Sequence, residues 1–426
     1  MKTYTIAETF VGAGGAHIGF KQKGFKTLYV NDINKDCLDT LLLNNPEIKE
    51  NAHIDHRNII DIDTNTFLSN VGLKPNMVDV FFGGIVCKGF SLAGERSPND
   101  ERNYFYHKQI ELVSKMKPVI SIIENVPGIL NATVLSPETP IEFKEKVNKV
   151  WQELENYKGK KAELRKKDAI TEEFLNFGKQ LRKQKVEIVK EMKEKKYLSS
   201  VMDDICKLYE NIGYKVSYQI LNAAWYGSGT KRQRVIIVAV RNDVNQDFIF
   251  PKPTHFLETL KKHFLEEWKP LIPNLKKALT VGDCLAHIDY NDKSDIDNRP
   301  MNHAAKTVKR FKYILEGESI VKTMHLLPKE LKISKFYSRG STMRLHNDKS
   351  CPTLVPGHSN FPVHPKQHRS ITVREAACIT GFPMNYTFIG NHSKRCEHVG
   401  NAVPPPLATA LAQSCVELLD KFYRKK

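Results

Sequence analysis

A cysteine beside a lysine stands at the end of a predicted strand. Residues 83–94 read GGIVCKGFSLAG, with Cys87 followed by Lys88. The preceding run MVDVFF, residues 77–82, is apolar and is typical of a buried strand. Cys87 is either a nucleophile, with Lys88 favouring its thiolate, or one more buried structural cysteine. This short string alone favours the structural interpretation.

Two other segments place polar groups after apolar runs. In ENVPG, Glu124 ends a predicted strand, where a carboxylate has either a function or a helix-capping role. The segment FVGAGGAHIGF, residues 10–20, has four glycines, which let the backbone approach a ligand closely. Asp32 ends the next predicted strand, where it could accept hydrogen bonds from ribose hydroxyls or cap a helix.

These residues are positioned by alternating strands and helices. The first strand candidates are YTIAETF (4–10), TLYVND (27–32), MVDVFFGG (77–84) and VISIIENV (119–126), and the later ones are GYKVSYQILNAAWYG (213–227) and RQRVIIVAVR (232–241). Strands separated by helix-length segments predict a doubly wound, mostly parallel sheet. Ligands of such sheets bind beyond the carboxyl ends of the strands, so all these residues are expected at one edge.

The chain of 426 residues is long enough for two lobes. We expect a catalytic lobe over 1–245, a second lobe over 246–365, and a C-terminal part, 366–426, that returns to the first lobe. In that part TVREAACITGF predicts a capped helix start, with Thr372 and Glu375 as the capping pair, and PPPLATALAQ predicts a second helix.

A charged insertion over about 137–198 interrupts the first lobe and predicts a helical hairpin. Its apolar stripes are Val147, Val150, Trp151 and Leu154 on one helix, and Phe174, Phe177 and Leu181 on the other. A self-packed surface hairpin is favoured over an arm that contacts DNA or docks a partner.

Composition limits the class of protein. The net charge of +17 indicates a polyanionic partner such as nucleic acid, or a solvated basic face. No apolar run reaches the roughly 20 residues of a membrane span, so a cytoplasmic protein that does not bind membranes is expected. The eight cysteines are scattered singly, which indicates neither a metal site nor a disulfide scaffold.

Taken together, the motifs resemble those of the DNA (cytosine-5)-methyltransferase family, of the prokaryotic modification type. The matching strings, in the family's order, are FVGAGG, NDIN, GGIVCKGFS, ENVPG, KRQRV, RSITVREAACITGFP and VGNAVPP. The resemblance implies an α/β, Rossmann-like fold with a smaller target-recognition domain. It also implies S-adenosyl-L-methionine as methyl donor, double-stranded DNA as substrate, and no metal.

The resemblance implies a role for each candidate site residue. Cys87 would attack C6 of a flipped-out cytosine, Glu124 would contact N3, and Arg232 and Arg234 would hold the base and a neighbouring phosphate. Residues expected around the cofactor are Phe10, Gly12, Ala13, Gly15, Asp32 on the ribose, Asn58 and Ile59 against the adenine, and Asn401 and Ala402 from the tail.

The sequence departs from the family at three places. Ile85-Val86-Cys87-Lys88 replaces the usual Pro-Pro-Cys-Gln, Gly229-Thr230 replaces Pro-Gln before the arginines, and Asn58 replaces an acid. The alternatives are a tRNA cytosine-5 methyltransferase and a catalytically inactive DNA-binding homologue. If the substrate is DNA, we expect the modification half of a restriction-modification system with a partner endonuclease. The second lobe, with Arg339 and Arg344, is then the expected base-reading module.

Overall fold

A seven-stranded sheet forms the centre of the molecule. The computed structural model describes residues 2–85, 105–136, 138–258, 263–333, 342–357 and 360–424. The strands are β1 (Thr5–Thr9), β2 (Lys26–Asn31), β3 (His53–Asp55), β4 (Val80–Gly84), β5 (Ile120–Asn125), β6 (Thr133–Leu135), β7 (Leu198–Ser200), β8 (Tyr214–Asn222), β9 (Gln233–Arg241), β10 (His255–Phe256) and β11 (Lys276–Lys277).

The strand order of the large sheet is β3-β2-β1-β4-β5-β9-β8. The first five strands are parallel, and β9 runs antiparallel to both β5 and β8. This confirms the predicted α/β fold with a mostly parallel sheet and all six predicted strands. The short strand β3 was missed, because its three residues include His53 and Asp55 and show no apolar run.

Helices cover both faces of the sheet. They are α1 (Gly15–Gln22), α2 (Lys35–Asn44), α3 (Ile48–Asn51), α4 (Phe67–Asn70), α5 (Phe105–Met116), α6 (Ile141–Lys166), α7 (Glu172–Glu194), α8 (Val201–Asn211), α9 (Val281–Leu285), α10 (Ala305–Phe311), α11 (Val373–Thr380), α12 (His392–Asn401) and α13 (Pro405–Arg424). Helices α1 and α13 pack on one face through Phe20 and Leu411. Helices α5 and α8 pack on the other through Leu112 and Ile205. Both faces of the parallel strands are therefore buried, as their apolar sequences require.

The C-terminal part of the chain packs against α1. A Cβ added to Gly15 would lie 2.3 Å from the Val403 carbonyl oxygen, and one added to Gly19 would lie 2.4 Å from backbone atoms of Ala408. Only glycine permits this close approach of α1 to the tail. The capping box of Thr372 and Glu375 at the start of α11 is also confirmed.

Several residues of the second lobe pack into hydrophobic cores that other parts of the chain form. Phe264 and Trp268 belong to the core beneath α13, whereas Val281 and Leu345 pack with α11 and α12. A separate small core is formed by Phe311, Ile314, Ile320, Leu327, Leu331 and Val363. The exact domain boundaries stay a prediction.

The structure contradicts the expectation that Arg344 reads bases. Its side chain is buried, and its guanidinium donates hydrogen bonds to several backbone carbonyls, those of Ile314 at 2.7 Å and Phe311 at 2.6 Å among them. The five N–H groups of a guanidinium can bind backbone carbonyls as well as a base. Here they join backbone segments of the second lobe. Arg339 lies outside the described residues.

The insertion is a self-packed hairpin of α6 and α7, closed at its base by the antiparallel pair β6 and β7. The stripe Val147, Val150, Trp151 and Leu154 is buried together with Leu181. Phe177 is less buried than its place in the predicted stripe implies, since its side chain is 47% exposed although its ring contacts that of Tyr157 at a centroid distance of 6.3 Å. In the part of the chain that the structure describes, no helix is long and apolar enough to cross a membrane.

Candidate functional site

An ion pair joins two predicted site residues at the carboxyl end of β5. Arg234 Nε lies 2.5 Å from Glu124 Oε1, and both residues are 7% exposed. Arg234 Nη1 also donates a hydrogen bond to the Gln233 carbonyl oxygen at 2.7 Å. The antiparallel pairing of β5 with β9 brings the two side chains together. This contact supplies the partner that a buried carboxylate requires.

Asn125 links this site to the segment that precedes Cys87. Its Nδ2 donates to the carbonyl oxygen of Ile85 at 3.4 Å, and its Oδ1 accepts from Val126 N at 2.9 Å. Ile85 is two positions before Cys87 in the sequence. Cys87 and its neighbours Val86 and Lys88 lie outside the described residues, so the catalytic role of Cys87 stays a prediction.

Gly84 lies where the predicted catalytic and cofactor segments meet. A Cβ at Gly84 would lie 3.6 Å from Glu124 Oε2 and 3.6 Å from the carbonyl oxygen of Phe10. The parallel pairing of β4 with both β1 and β5 produces this arrangement. The structure therefore brings Glu124 and Phe10 to one edge of the sheet.

Arg232 has partners of a different kind from those of Arg234. The buried side chain donates from Nη1 to the carbonyl oxygens of Leu354 at 3.3 Å and Gly400 at 2.7 Å. Its Nη2 donates to the carbonyl oxygen of Asn401 at 3.1 Å. These contacts make Arg232 a positioning residue that joins β9 to the end of α12. A direct contact with substrate stays a prediction.

The glycine turn after β1 is tied to the end of β2 through Asp32. Asp32 Oδ2 accepts from Gly12 N at 2.8 Å, and Oδ1 accepts from Asn34 N at 2.8 Å. Burial raises the pKa of Asp32, and the two backbone N–H groups oppose that shift. Asp32 thus shapes the turn and the start of α2, and its contact with a ribose stays a prediction.

Space for a ligand remains next to this turn. Gly12 has a φ of 56°, and no described atom lies within 4 Å of the position where its Cβ would project. Phe10 also has a positive φ, 51°, and its ring lies 5.5 Å from that of Phe105. Such backbone conformations are unusual outside glycine and accompany functional turns.

The remaining predicted cofactor residues lie on the surrounding elements. Asn58 precedes a short 3₁₀ helix, Ile59–Asp61, and Ile59 is buried in the core under β4. The Ala402 Cβ lies 3.1 Å from the Cβ position of Gly15. Ala402 therefore lies beside the start of α1, and the contacts of Asn401 and Ala402 with a cofactor stay a prediction.

Two residues of this region were missed by sequence reasoning. Ile33 directly follows Asp32 and is 65% exposed, so it offers an apolar surface beside the turn. Tyr386 donates a hydrogen bond from its hydroxyl to the Ala13 carbonyl oxygen at 2.7 Å. The exposed apolar Ile33 could have been found from its place next to Asp32. Tyr386 gave no signal, since it is 373 residues from its partner.

Comparisons with known proteins identify the family of this chain. The sequence pattern of the family described as C-5 cytosine-specific DNA methylase matches residues 4–157 and 185–417. The Type II methyltransferase M.DdeI of Desulfomicrobium norvegicum is 27% identical over 438 residues, which cover 96% of this chain and 87% of that protein. The Type II methyltransferase M1.HphI of Haemophilus parahaemolyticus is 24% identical over 421 residues, with coverage of 97% and 87%.

A solved structure shares the fold. It is a protein assigned as a DNA modification methyltransferase, encoded within an Escherichia coli prophage, with a TM-score of 0.62 and 19% identity. The alignment covers 98% of this chain and 100% of that chain. The family pattern covers both the glycine turn and the Glu124–Arg234 pair. The chain belongs to the C-5 cytosine-specific DNA methylase family and is a DNA (cytosine-5)-methyltransferase.

Proposed function

We propose that the protein methylates C5 of a cytosine that is flipped out of double-stranded DNA, with Cys87 as nucleophile. The ion pair between Glu124 and Arg234, at the carboxyl edge of the sheet, is the observation that supports this assignment. Cys87 follows β4, the strand next to Glu124, so the proposed nucleophile and the carboxylate come from adjacent strands. A base inside a duplex cannot reach such a site, which is why flipping is required.

The proposed reaction needs a covalent intermediate, because C5 of cytosine is a poor nucleophile. The Cys87 thiolate forms a bond to C6, and the electron pair of the C5–C6 double bond makes C5 nucleophilic. S-adenosylmethionine, when bound, would supply the methyl group that C5 takes up, with the bond from its sulfur to that methyl broken and S-adenosylhomocysteine left. Loss of the C5 proton to a base then restores the double bond and breaks the bond between sulfur and C6.

Glu124 and Arg234 are proposed to bind the cytosine during this addition. Arg234 forms its ion pair with Oε1 of Glu124, while Oε2 lies on the side of Gly84 and Phe10. This oxygen is proposed to contact the N3 edge of the base, where charge changes as sulfur adds to C6. Arg232 is proposed to hold β9 in register with the tail, in addition to the predicted contact with a phosphate.

The cofactor is proposed to lie against the glycine turn. The open space at Gly12 and the exposed face of Ile33 suit a nucleoside, and Asp32, Asn58 and Asn401 offer polar groups around it. Phe10, Ala13, Gly15, Ile59 and Ala402 complete the proposed lining.

The proposed cellular role is host DNA modification. Both relatives named above are Type II methyltransferases, so a cognate restriction endonuclease and a cytoplasmic location are proposed. A tRNA substrate is the second candidate, and the two substrates are separated by experiment.

The test measures transfer of tritiated methyl groups from S-adenosylmethionine to duplex DNA and to tRNA. Wild type should label DNA, and Cys87→Ser should not, because a hydroxyl is a far weaker nucleophile than a thiolate. Cys206→Ser, at a free cysteine that the structure shows partly buried, is the control and should keep full activity.

A duplex with 5-fluorocytosine at the methylated position should trap wild type covalently, because fluorine cannot leave as a proton does. Labelling of tRNA alone would replace the DNA assignment. Activity of Cys87→Ser, or an adduct on another residue, would exclude Cys87.

A further inference from the structure

The outer half of the inserted hairpin carries its positive charge. Residues 158–185, which we name the distal segment, contain ten Lys or Arg and four Asp or Glu, a net charge of +6. The remaining hairpin residues, 141–157 and 186–196, contain seven of each kind. The family pattern stops at residue 157 and resumes at residue 185, so nearly all of the distal segment lies outside it.

Two aromatic rings between the helices hold three of these cations at the surface. Lys161 Nζ lies 5.7 Å from the centroid of the Tyr157 ring, and Arg182 Cζ lies 6.0 Å from the same centroid. Lys185 Nζ lies 5.3 Å from the Trp151 ring. The rings are only 3% and 5% exposed, for Tyr157 and Trp151 respectively. The long stems pack at the rings while the charged ends reach water.

Close packing fixes the rings and therefore these three residues, which we name the seam cations. A Cβ added to Gly178 would lie 2.1 Å from Tyr157 Cζ, so α7 presses directly on the ring. Phe174 stacks on Tyr157 with a centroid distance of 4.6 Å. Cations held in this way lose less side-chain entropy when they bind an anion than freely moving lysines do.

The seam cations differ from two lysines nearer the base of the hairpin. There, Lys146 and Lys195 both pair with Glu191, at 2.8 and 2.7 Å. Within the described part of the chain, none of the three seam cations forms an ion pair with a carboxylate. Their charge is therefore not neutralised within the protein and is available to an external polyanion.

The hairpin follows soon after β5, the strand that carries Glu124, along the chain. Strand β6 begins eight residues after Asn125, and Leu135 at its end pairs with Leu198 of β7. A helix of 26 residues such as α6 is about 39 Å long, so the distal segment begins about 25 Å from its start. Along B-DNA, about 25 Å corresponds to roughly seven base pairs.

We propose that the seam cations bind backbone phosphates of DNA that flanks the methylated site. This inference rests on the proposed use of duplex DNA, and it adds a sequence-independent contact outside the base-reading surface. Phosphates are the partner that the charge favours, since the rings and stems offer no groups that distinguish one base from another. The hairpin then raises affinity for long DNA without changing the sequence that is methylated.

The test compares duplexes of about 14 and about 50 base pairs, both centred on the target cytosine, so that only the longer one extends past the distal segment. The variant K161Q/R182Q/K185Q removes three charges and keeps polar side chains that can cover the rings. For binding of this variant to the long duplex, we expect the slope of log binding constant against log salt concentration to be smaller in magnitude than that of wild type by about 2.7. Its affinity for the short duplex and its methyl transfer on that duplex should equal those of wild type.

The matched control is K149Q/K190Q/K193Q, which removes three exposed lysines from the inner half of the hairpin. It should retain the wild-type slope on both duplexes. Equal slopes for wild type and the seam variant on the long duplex would overturn the proposal, as would an equal loss in the control. Circular dichroism melting checks that the hairpin of the seam variant is folded. If wild type methylates neither duplex, the proposed function fails instead.

Discussion

Arg234 on β9 and Glu124 on β5 form an ion pair of 2.5 Å with both side chains buried. The contact exists because β9 runs antiparallel to β5, whereas the strands on the other side of β5 are parallel. The ion pair fixes Oε1 of the carboxylate. The other oxygen, Oε2, lies on the side of the glycine turn. In the proposed reaction, a carboxylate held in this way would be oriented before a base binds, which would lower the cost of reaching the transition state.

We expect Glu124→Gln to lower turnover by about 10²–10⁴-fold, because the neutral amide can neither supply a proton nor stabilise the changing charge on the base. DNA affinity should fall much less. Single-turnover methyl transfer and binding isotherms measure the two effects. The variants Glu124→Gln, Arg234→Gln and the double variant form a cycle, and the double variant should lose little more than either single variant, since both remove one ion pair. Fully additive losses would show that the two residues act separately.

A substitution at Gly12 tests whether the cofactor binds beside the glycine turn. Gly12→Ala should weaken binding of S-adenosylmethionine at least about tenfold, because a methyl group would enter the open space beside the turn. Left-handed backbone costs alanine about 1–2 kcal/mol, so stability falls as well. Gly24→Ala is the matched control, since Gly24 also has a positive φ, 79°, and open space around it. It should lose similar stability with unchanged cofactor affinity by calorimetry. Equal cofactor affinity in both variants would remove Gly12 from the site.

Sequence specificity should lie in the second lobe and not in the hairpin. An exchange of segments tests this, and about residues 289–343 of the second lobe are suited to it, because Phe264, Trp268 and Val281 pack into the cores of other elements. Replacing that segment with the corresponding one from a related methylase should change the methylated sequence.

Deleting residues 140–196 should leave the methylated sequence unchanged, because Ser136 N and the Tyr197 carbonyl oxygen are already 2.8 Å apart and a short Gly-Ser bridge can join the ends. Bisulfite sequencing of plasmid from expressing cells reports both results. A changed sequence after the deletion would contradict this division of roles, and so would an active exchange variant with the original specificity.

His398 should make stability depend on pH. Burial lowers its pKa to about 4, from about 6.5 in the unfolded chain. Below pH 6.5, His398 becomes protonated in the unfolded chain but stays neutral in the folded protein. Stability is therefore lost as pH falls from 6.5 towards 4. The stability advantage of wild type over His398→Gln should shrink by about 2 kcal/mol between pH 7.5 and 5. His56→Gln, at an exposed histidine, is the control for urea unfolding at both pH values. A difference that does not change with pH would contradict the prediction.

Local physical chemistry in the sequence determined much of this protein. Apolar runs gave the six strands that were predicted, and glycine spacing gave the turn at residues 10–15. The pair Thr372 and Glu375 marked the start of α11, because a capping box depends on residues three positions apart. The ordered motifs also gave the family, since each keeps the residue types that its chemistry needs.

Only the tertiary structure decided which partner each polar group meets. Arg232, Arg234 and Arg344 have the same donors, yet one holds the tail, one holds Glu124, and one closes loops of the second lobe. Residue type sets how many hydrogen bonds an arginine can donate, but the acceptors are brought close by folding, and Gly400 is 168 residues from Arg232. The charge of the hairpin was likewise visible in the sequence, whereas its placement over Tyr157 and Trp151 required two packed helices.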